Sequence, residues 1–283
     1  MPESISSADL IRQGLFHHRQ GQLALAMERY TEVLRIDPNH PDALYYVAAV
    51  ACQEGQLKEG LELARRALAH GGGAQHQARV HNLIGKALQR LGEQLEAVKA
   101  YDAAIAADAN FAEAHGNRAN ILVAAGLPEE ALLGFDRALA LDPKAIPDWI
   151  NRGALLVDLG RFEEAIASFD RAIALAPQSL PALLNRADAL RSAGRPQEAL
   201  EAYERVLALA PALAEVQYGR AITLRDLGRL DEALAAVDVA LAAKPRLAPA
   251  HSLRAALLQA LGRADEAAAS RKRAEALEAG GQP

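Results

Sequence analysis

IPDWINRGALLVDLGRFEEAIASFDRAIALAPQS, residues 146–179, reads as two short helices and a stop. From Asp148 to Asp158, Trp149, Gly153, Leu156 and Val157 recur at helical spacing. Gly160 ends this first helix, because glycine takes the left-handed C-terminal conformation at little cost. Glu163 and Glu164 open the second helix, where acidic residues complement the dipole. Ala165, Ile166, Phe169, Ala172 and Ile173 form its buried stripe. Pro177 stops it, having no N–H and disfavouring helix in the residue before it. Small Gly153, Ala165 and Ala172 stand where the two helices must approach closely.

The unit recurs along the chain. Gly92, Gly126, Gly160, Gly194, Gly228 and Gly262 are spaced 34 residues apart, as are Gly21 and Gly55. Pro143, Pro177, Pro211 and Pro245 keep the same beat, and so do Ala97, Ala131, Ala165, Ala199 and Ala233. Three residue types held in phase imply a helix-turn-helix unit repeated about eight times. The step from Gly55 to Gly92 is 37, and Gly71-Gly72-Gly73 followed by Ala-Gln-His-Gln supplies the extra residues. Glycine runs loosen connections, so residues 71–77 either form a joint at which the stack bends or are absorbed as a longer loop.

Composition agrees with close helix packing. Of 283 residues, 51% are hydrophobic but only 4% aromatic, so Ala and Leu carry the apolar content. Tyr30, Tyr101, Phe135, Phe169 and Tyr203 fill one ring slot in successive second helices. A chain half apolar and 24% charged is not disordered. A formal charge of -5 argues against a surface built to grip nucleic acid, whose affinity comes mainly from neutralised phosphates. Cys52, the single cysteine, cannot form an internal disulfide or a thiolate metal site. A start without a basic and apolar leader, and the lack of a long apolar run, favour a cytoplasmic protein with no membrane span.

Trp149-x-x-Arg-Gly153, Ala165-x-x-x-Phe169 and Pro177 together resemble the tetratricopeptide signature, whose period is also 34. The resemblance covers about residues 7–40, 41–74, 78–111, 112–145, 146–179, 180–213, 214–247 and 248–279. It implies an all-α fold: a single right-handed α-solenoid over residues 1–283, with the first helix of each pair lining a concave groove. Arg271 replaces the ring of the last repeat, so the final helix reads as a polar cap and the tail 280–283 as frayed.

Arginine recurs at the seventh position as Arg118, Arg152, Arg186, Arg220 and Arg254. Eighteen residues after the first four come Asp136, Asp170, Glu204 and Asp238, and after the last comes Lys272. This register predicts an inter-helix ion-pair ladder within repeats, broken at the end. Asn117, Asn151 and Asn185 share the sixth position. The row is similar to the asparagine ladder of the O-linked N-acetylglucosamine transferases and SPINDLY-like repeat regions, where amides hold an extended peptide backbone. That resemblance implies partner contacts at all three, and Asn120 joins them.

The family pattern also places Arg12, His18, Arg19, Arg79, Lys86 and Arg90 toward the groove, with Tyr45 and Tyr46 between them. Cys52 falls on the same face. Farther along come Asp188, Arg191, Tyr218, Arg225 and Asp226, of mixed sign. A basic stretch with aromatic anchors favours an acidic peptide, although scattered solvated charge is the commoner explanation of such a set. The Lys/Asn/Arg set of chaperone-tail clamps is not found.

The eight histidines show no ligand spacing; His81, His115 and His251 occupy a packing position. Neither a nucleophile elbow nor a phosphate loop is present, so no metal, cofactor or catalysis is expected. The expected function is a protein-interaction scaffold binding an extended or helical partner segment. Two alternatives stand beside it: a substrate-recruiting subunit of a separate glycosyltransferase, and a self-associating structural protein.

Overall fold

The computed structural model describes residues 5–280, and among them every regular element is an α-helix, sixteen in all. The chain divides into two compact units, Met1–Pro143 and Lys144–Pro283. The first holds α1 (Ser7–Arg19), α2 (Leu23–Ile36), α3 (Pro41–Gln53), α4 (Leu57–Ala69), α5 (Ala74–Arg90), α6 (Gln94–Ala107), α7 (Ala112–Ala124) and α8 (Pro128–Leu141). The second holds α9 (Ile146–Asp158), α10 (Phe162–Leu175), α11 (Leu180–Ser192), α12 (Pro196–Leu209), α13 (Ala214–Asp226), α14 (Leu230–Ala243), α15 (Ala248–Ala260) and α16 (Ala264–Ala279). Within each unit an odd-numbered helix packs on its own partner, and that partner packs on the next odd-numbered helix. The expected all-α solenoid packing is therefore present in both. Of the tail expected to fray, 280–283, Gly280 caps α16 with its amide donating to the Ala276 carbonyl, and 281–283 lie outside the described residues.

The turn inside a pair has a local cause. Gly160 has φ +71, and the Gly160 and Arg161 amides donate to the carbonyls of Val157 (2.9 Å) and Leu156 (2.8 Å). This closes the last turn of α9 and requires a residue without a Cβ penalty. Between pairs, Ala176 before Pro177 is extended, at φ -137 and ψ 87. Asp108 adopts the same conformation with no proline after it, at φ -143 and ψ 100. There the Asn110 amide donates to its carboxylate at 2.9 Å, a side-chain turn also made at 3.0 Å between Asn39 and Asp37, where Pro38 is present.

Residues 71–77 are shorter as a loop than the sequence suggests. Gly71 and Gly72 have positive φ, Gly73 caps α5, and 74–77 form an extra first turn of that helix. His76 in this turn is 9% exposed, with Nδ1 2.9 Å from Oδ1 of Asp42 on α3. One hydrophobic cluster continues from Leu44 and Ala48 through Leu61 and Ala64 to Val80, Ile84 and Tyr101, on both sides of the glycines.

The five ring slots form the centre of the packing: Tyr30, Tyr101, Phe135, Phe169 and Tyr203 are all 0% exposed. Burial pushes the Tyr30 hydroxyl up to about 12 and raises those of Tyr101 and Tyr203 as well. The Tyr101 hydroxyl donates to Gln89 at 3.1 Å, and that of Tyr203 to Asp188.

The arginine ladder exists in a different register from the one expected. Nε of Arg118, Arg186 and Arg254 lies 2.6 Å from Asp102, Asp170 and Asp238 respectively, and Arg220 is 3.9 Å from Glu204. Each acid stands sixteen residues before its arginine, on the preceding helix pair, rather than eighteen after it. The last arginine is therefore paired, and Lys272 breaks nothing. A second guanidinium nitrogen of Arg152 and of Arg254 donates at 2.7 Å to Ser168 and Ser270 of the following helix. The ladder therefore binds neighbouring helices, at about 0.2–1 kcal/mol for each partly exposed ion pair.

A second series was not anticipated. Arg161, Arg195, Arg229 and Arg263 cap the even-numbered helices of the second unit, and each grips Glu164, Glu198, Glu232 or Glu266 with two bonds of 2.6–2.7 Å. These guanidinium bonds lower all four carboxyls below their usual value. A depressed folded-state pKa gives stability that is present above the unfolded value and lost as pH falls through the folded one. Thermal midpoints should therefore fall as pH drops below the ordinary glutamate range. A variant with all four glutamates changed to Gln should show a shallower fall, and an equally steep acid limb would show that these pairs do not contribute.

Candidate functional site

In the first unit the odd-numbered helices line a half-open cavity of about 380 Å³. Its lining comes from α1, α3, α5 and α7 alone. It includes Leu15, His18 and Arg19, then Tyr45, Tyr46, Ala49, Cys52 and Gln53. From α5 come Arg79, Asn82, Leu83, Lys86, Ala87 and Arg90, and from α7 comes Glu113. Arg79, Leu83, Lys86 and Arg90 follow the i, i+4, i+7, i+11 spacing that puts side chains on one helix face. The cavity has an apolar floor of Leu15, Ala49, Leu83 and Ala87, and a cationic margin.

Each cation is held differently. The Arg79 guanidinium lies 4.5 Å from the Tyr45 ring centre and 5.4 Å from that of Tyr46, and donates to the Tyr46 hydroxyl at 3.0 Å. Tyr46 is itself stacked on buried Tyr30, with ring centres 5.0 Å apart. Arg90 donates to the backbone carbonyl of Cys52. Lys86 alone has an acid, Glu113, at 3.0 Å. His18 Nε2 is 3.1 Å from the Gln53 amide oxygen. Arg19 has no partner among the described residues. The Cys52 thiol is raised by burial, against the opposing pull of Arg90 and Lys86.

Eight of the expected groove residues thus line this cavity: His18, Arg19, Tyr45, Tyr46, Cys52, Arg79, Lys86 and Arg90. Arg12 does not; it is exposed and paired with Asp9, one turn away on the same helix. Asn117 donates its amide at 3.0 Å to Asn82, which is 4% exposed and lines the cavity. Asn120 is half-buried on α7, as are Asn151 on α9 and Asn185 on α11. Asp188 accepts from Tyr203. Tyr218 and Arg225 line a more open hollow of about 440 Å³ with Ser252, Leu253 and Glu278, but Arg225 is bound to its neighbour Asp226 at 2.8 Å.

Asn82, Gln53 and Glu113 were missed by sequence reasoning. The α5 stripe could have found Asn82, which adjoins it, whereas Gln53 and Glu113 depend on which helices face each other. His81, His115 and His251 are all half-buried. Two of them fasten the preceding loop, His115 at 3.1 Å from the Ala109 carbonyl and His251 at 3.0 Å from that of Pro245. Among the described residues no group of three His, Cys, Asp or Glu is placed to hold a metal ion, and no helix is long and apolar enough to cross a membrane.

Four family models described as tetratricopeptide repeat match residues 17–87, 82–146, 148–212, 184–248 and 248–273. No curated protein matches the sequence. Among solved structures, the chain is similar to the C-terminal part of a TPR repeat-containing protein from Cytophaga hutchinsonii, with TM-score 0.65 and 18% identity over 85% of this chain and 97% of that one. It is similar to PilF of Pseudomonas aeruginosa, with TM-score 0.59 and 22% identity over 70% and 90%. It is also similar to YrrB, described as a TPR protein with an unusual peptide-binding site, with TM-score 0.57 and 24% identity over 61% and 89%. At these identities the likeness is one of fold.

Proposed function

We propose that this chain, which belongs to the tetratricopeptide-repeat family, is a non-catalytic interaction scaffold that binds an acidic partner segment in the α1–α3–α5–α7 cavity. The observation that carries this reading is that the protein holds two kinds of arginine. Ladder arginines such as Arg118 and Arg186 each have a carboxylate at 2.6 Å, so their charge is spent on helix packing. Arg79 and Arg90 are held instead by a tyrosine hydroxyl and a backbone carbonyl, which orient a guanidinium without neutralising it. Uncompensated cations fixed beside an apolar floor are complementary to an anionic ligand with an apolar anchor. The YrrB resemblance supports the same class of function through the family fold.

The test is titration of the full chain with fluorescent Glu- and Leu-containing peptides. Binding should weaken as rising salt shortens the screening length from about 10 Å at 0.1 M. Arg79→Gln should weaken it by about tenfold, since losing a charge-assisted bond costs about 1.5 kcal/mol. Affinity indifferent to both salt and Arg79→Gln would exclude the cavity as the binding site.

A further inference from the structure

The spacing of the uncompensated cations sets the pattern of the ligand. Among the described residues Arg79 and Arg90 lack an acidic partner, whereas Lys86 between them is already matched by Glu113. Arg79 and Arg90 are eleven residues apart on one face of α5, about 16 Å between backbone positions at 1.5 Å per residue, whereas their anchors on α3, Tyr46 and Cys52, are six residues apart, about 9 Å. The cross-helix bonds mark the two ends of the cavity. Arg79 meets Tyr46 in the middle of α3, and Arg90 meets Cys52 near its end. The His18–Gln53 bond puts the end of α1, and with it Arg19, at the Arg90 side. One end is therefore monocationic and the other carries Arg19 and Arg90, with Leu15, Ala49, Leu83 and Ala87 lining the same space.

The width of the space selects the ligand's conformation. Arg79 and Arg90 both reach across from α5 to α3, so side chains cross the space between these helices at both ends and leave little room for the 10–12 Å of a helix with its side chains. An extended chain fits, and at about 3.3 Å per residue it covers about 9–16 Å in about three to five residues. Resting on the groove reading above, we propose that the partner segment is extended and carries two acidic side chains about three to five residues apart, with an apolar residue between them. One acid pairs with Arg79 and the other with the Arg19–Arg90 end. Glu113 repels any acid set against Lys86, so the interval between the two acids, not their number alone, determines affinity.

The experiment is a spacing series read by fluorescence anisotropy on the full-length chain. The peptides are acetylated and amidated, have constant composition and one central Leu, and carry two Glu separated by about two to about eight residues, bracketing the predicted three to five. Tightest binding is expected at about three to five, with about tenfold loss when either Glu is changed to Gln. Changing Arg19 and Arg90 together to Gln should erase the benefit of the second acid and leave that of the first. The series on the unaltered chain decides the matter even if that variant folds poorly. Equal affinity at every separation, or full affinity with one acid, overturns the spacing proposal; if Arg79→Gln still weakens binding, the groove reading survives. Failure of every acidic peptide to bind overturns both.

Discussion

Phe169→Ala should destabilise the chain by about 3–5 kcal/mol, the usual cost of deleting a buried ring. Phe169 is 0% exposed and packs where α10 meets α9. Its ring occupies the space a side chain at Gly153 would need: a Cβ built there comes within 2.5 Å of Phe169 Cε1. Gly153→Ala alone should therefore cost about 1–3 kcal/mol by overpacking. In the double variant the new methyl points into the volume the ring vacates, so the two losses should not add. Elsewhere the same two positions hold Ala119 with Phe135, Ala187 with Tyr203 and Ala221 with Val237, all 0% exposed, so the cost at Gly153 depends on how far the local backbone can yield. Denaturant titration of the four proteins gives the coupling energy directly. Simple additivity would mean that Gly153 and Phe169 do not share a site. Because helix pairs stabilise mainly their neighbours, the melting of the altered region should also separate from the rest, broadening the transition.

The ring slots, the glycine turns and the helix bounds were legible because each depends on residues close in sequence. The arginine ladder was half legible, for a reason built into periodicity. In a 34-residue repeat, an acid eighteen residues ahead and one sixteen behind occupy the same position of the unit. Sequence alone shows that Arg186 has a matching acid but not whether it is Glu204 or Asp170. Packing of α11 on α10 selects Asp170, at 2.6 Å. The groove was limited in another way. Arg12 and Arg79 look alike in a list of cations, yet one is paired within its own helix and the other lies over two tyrosines. The anchors of Arg79 and Arg90 are a hydroxyl from another helix and a main-chain carbonyl, and neither leaves a mark in a pattern of charges. The extra turn of α5 was hidden because it needs His76 to find Asp42, thirty-four residues away.

Gly60→Ala tests whether helix packing beneath the cavity sets its floor, and its sign should depend on Cys52. The repeat places alanine at this position elsewhere, as at Ala97 and Ala165, and alanine in mid-helix is favoured over glycine by about 0.5–1 kcal/mol. Propensity therefore predicts stabilisation. Packing predicts the opposite: a Cβ at Gly60 comes within 2.4 Å of Cys52 Sγ and 3.1 Å of the Ala48 carbonyl oxygen. Relieving that contact requires α3 to shift from α4 or the thiol to turn toward the cavity that Cys52 lines. A backbone shift costs about 1–3 kcal/mol, more than propensity returns, so Gly60→Ala should be destabilising overall. Introduced into Cys52→Ala, the same change loses its main obstacle, and the propensity gain should then raise the thermal midpoint. The functional readout follows from the same geometry. Either way of relieving the contact disturbs the Cys52 carbonyl that orients Arg90 or narrows the cavity. Acidic-peptide affinity should fall with Gly60→Ala in the presence of Cys52 and recover when Cys52 is alanine. If Gly60→Ala proves stabilising with Cys52 intact, the α3–α4 contact yields freely, and the floor of the groove is softer than its burial implies.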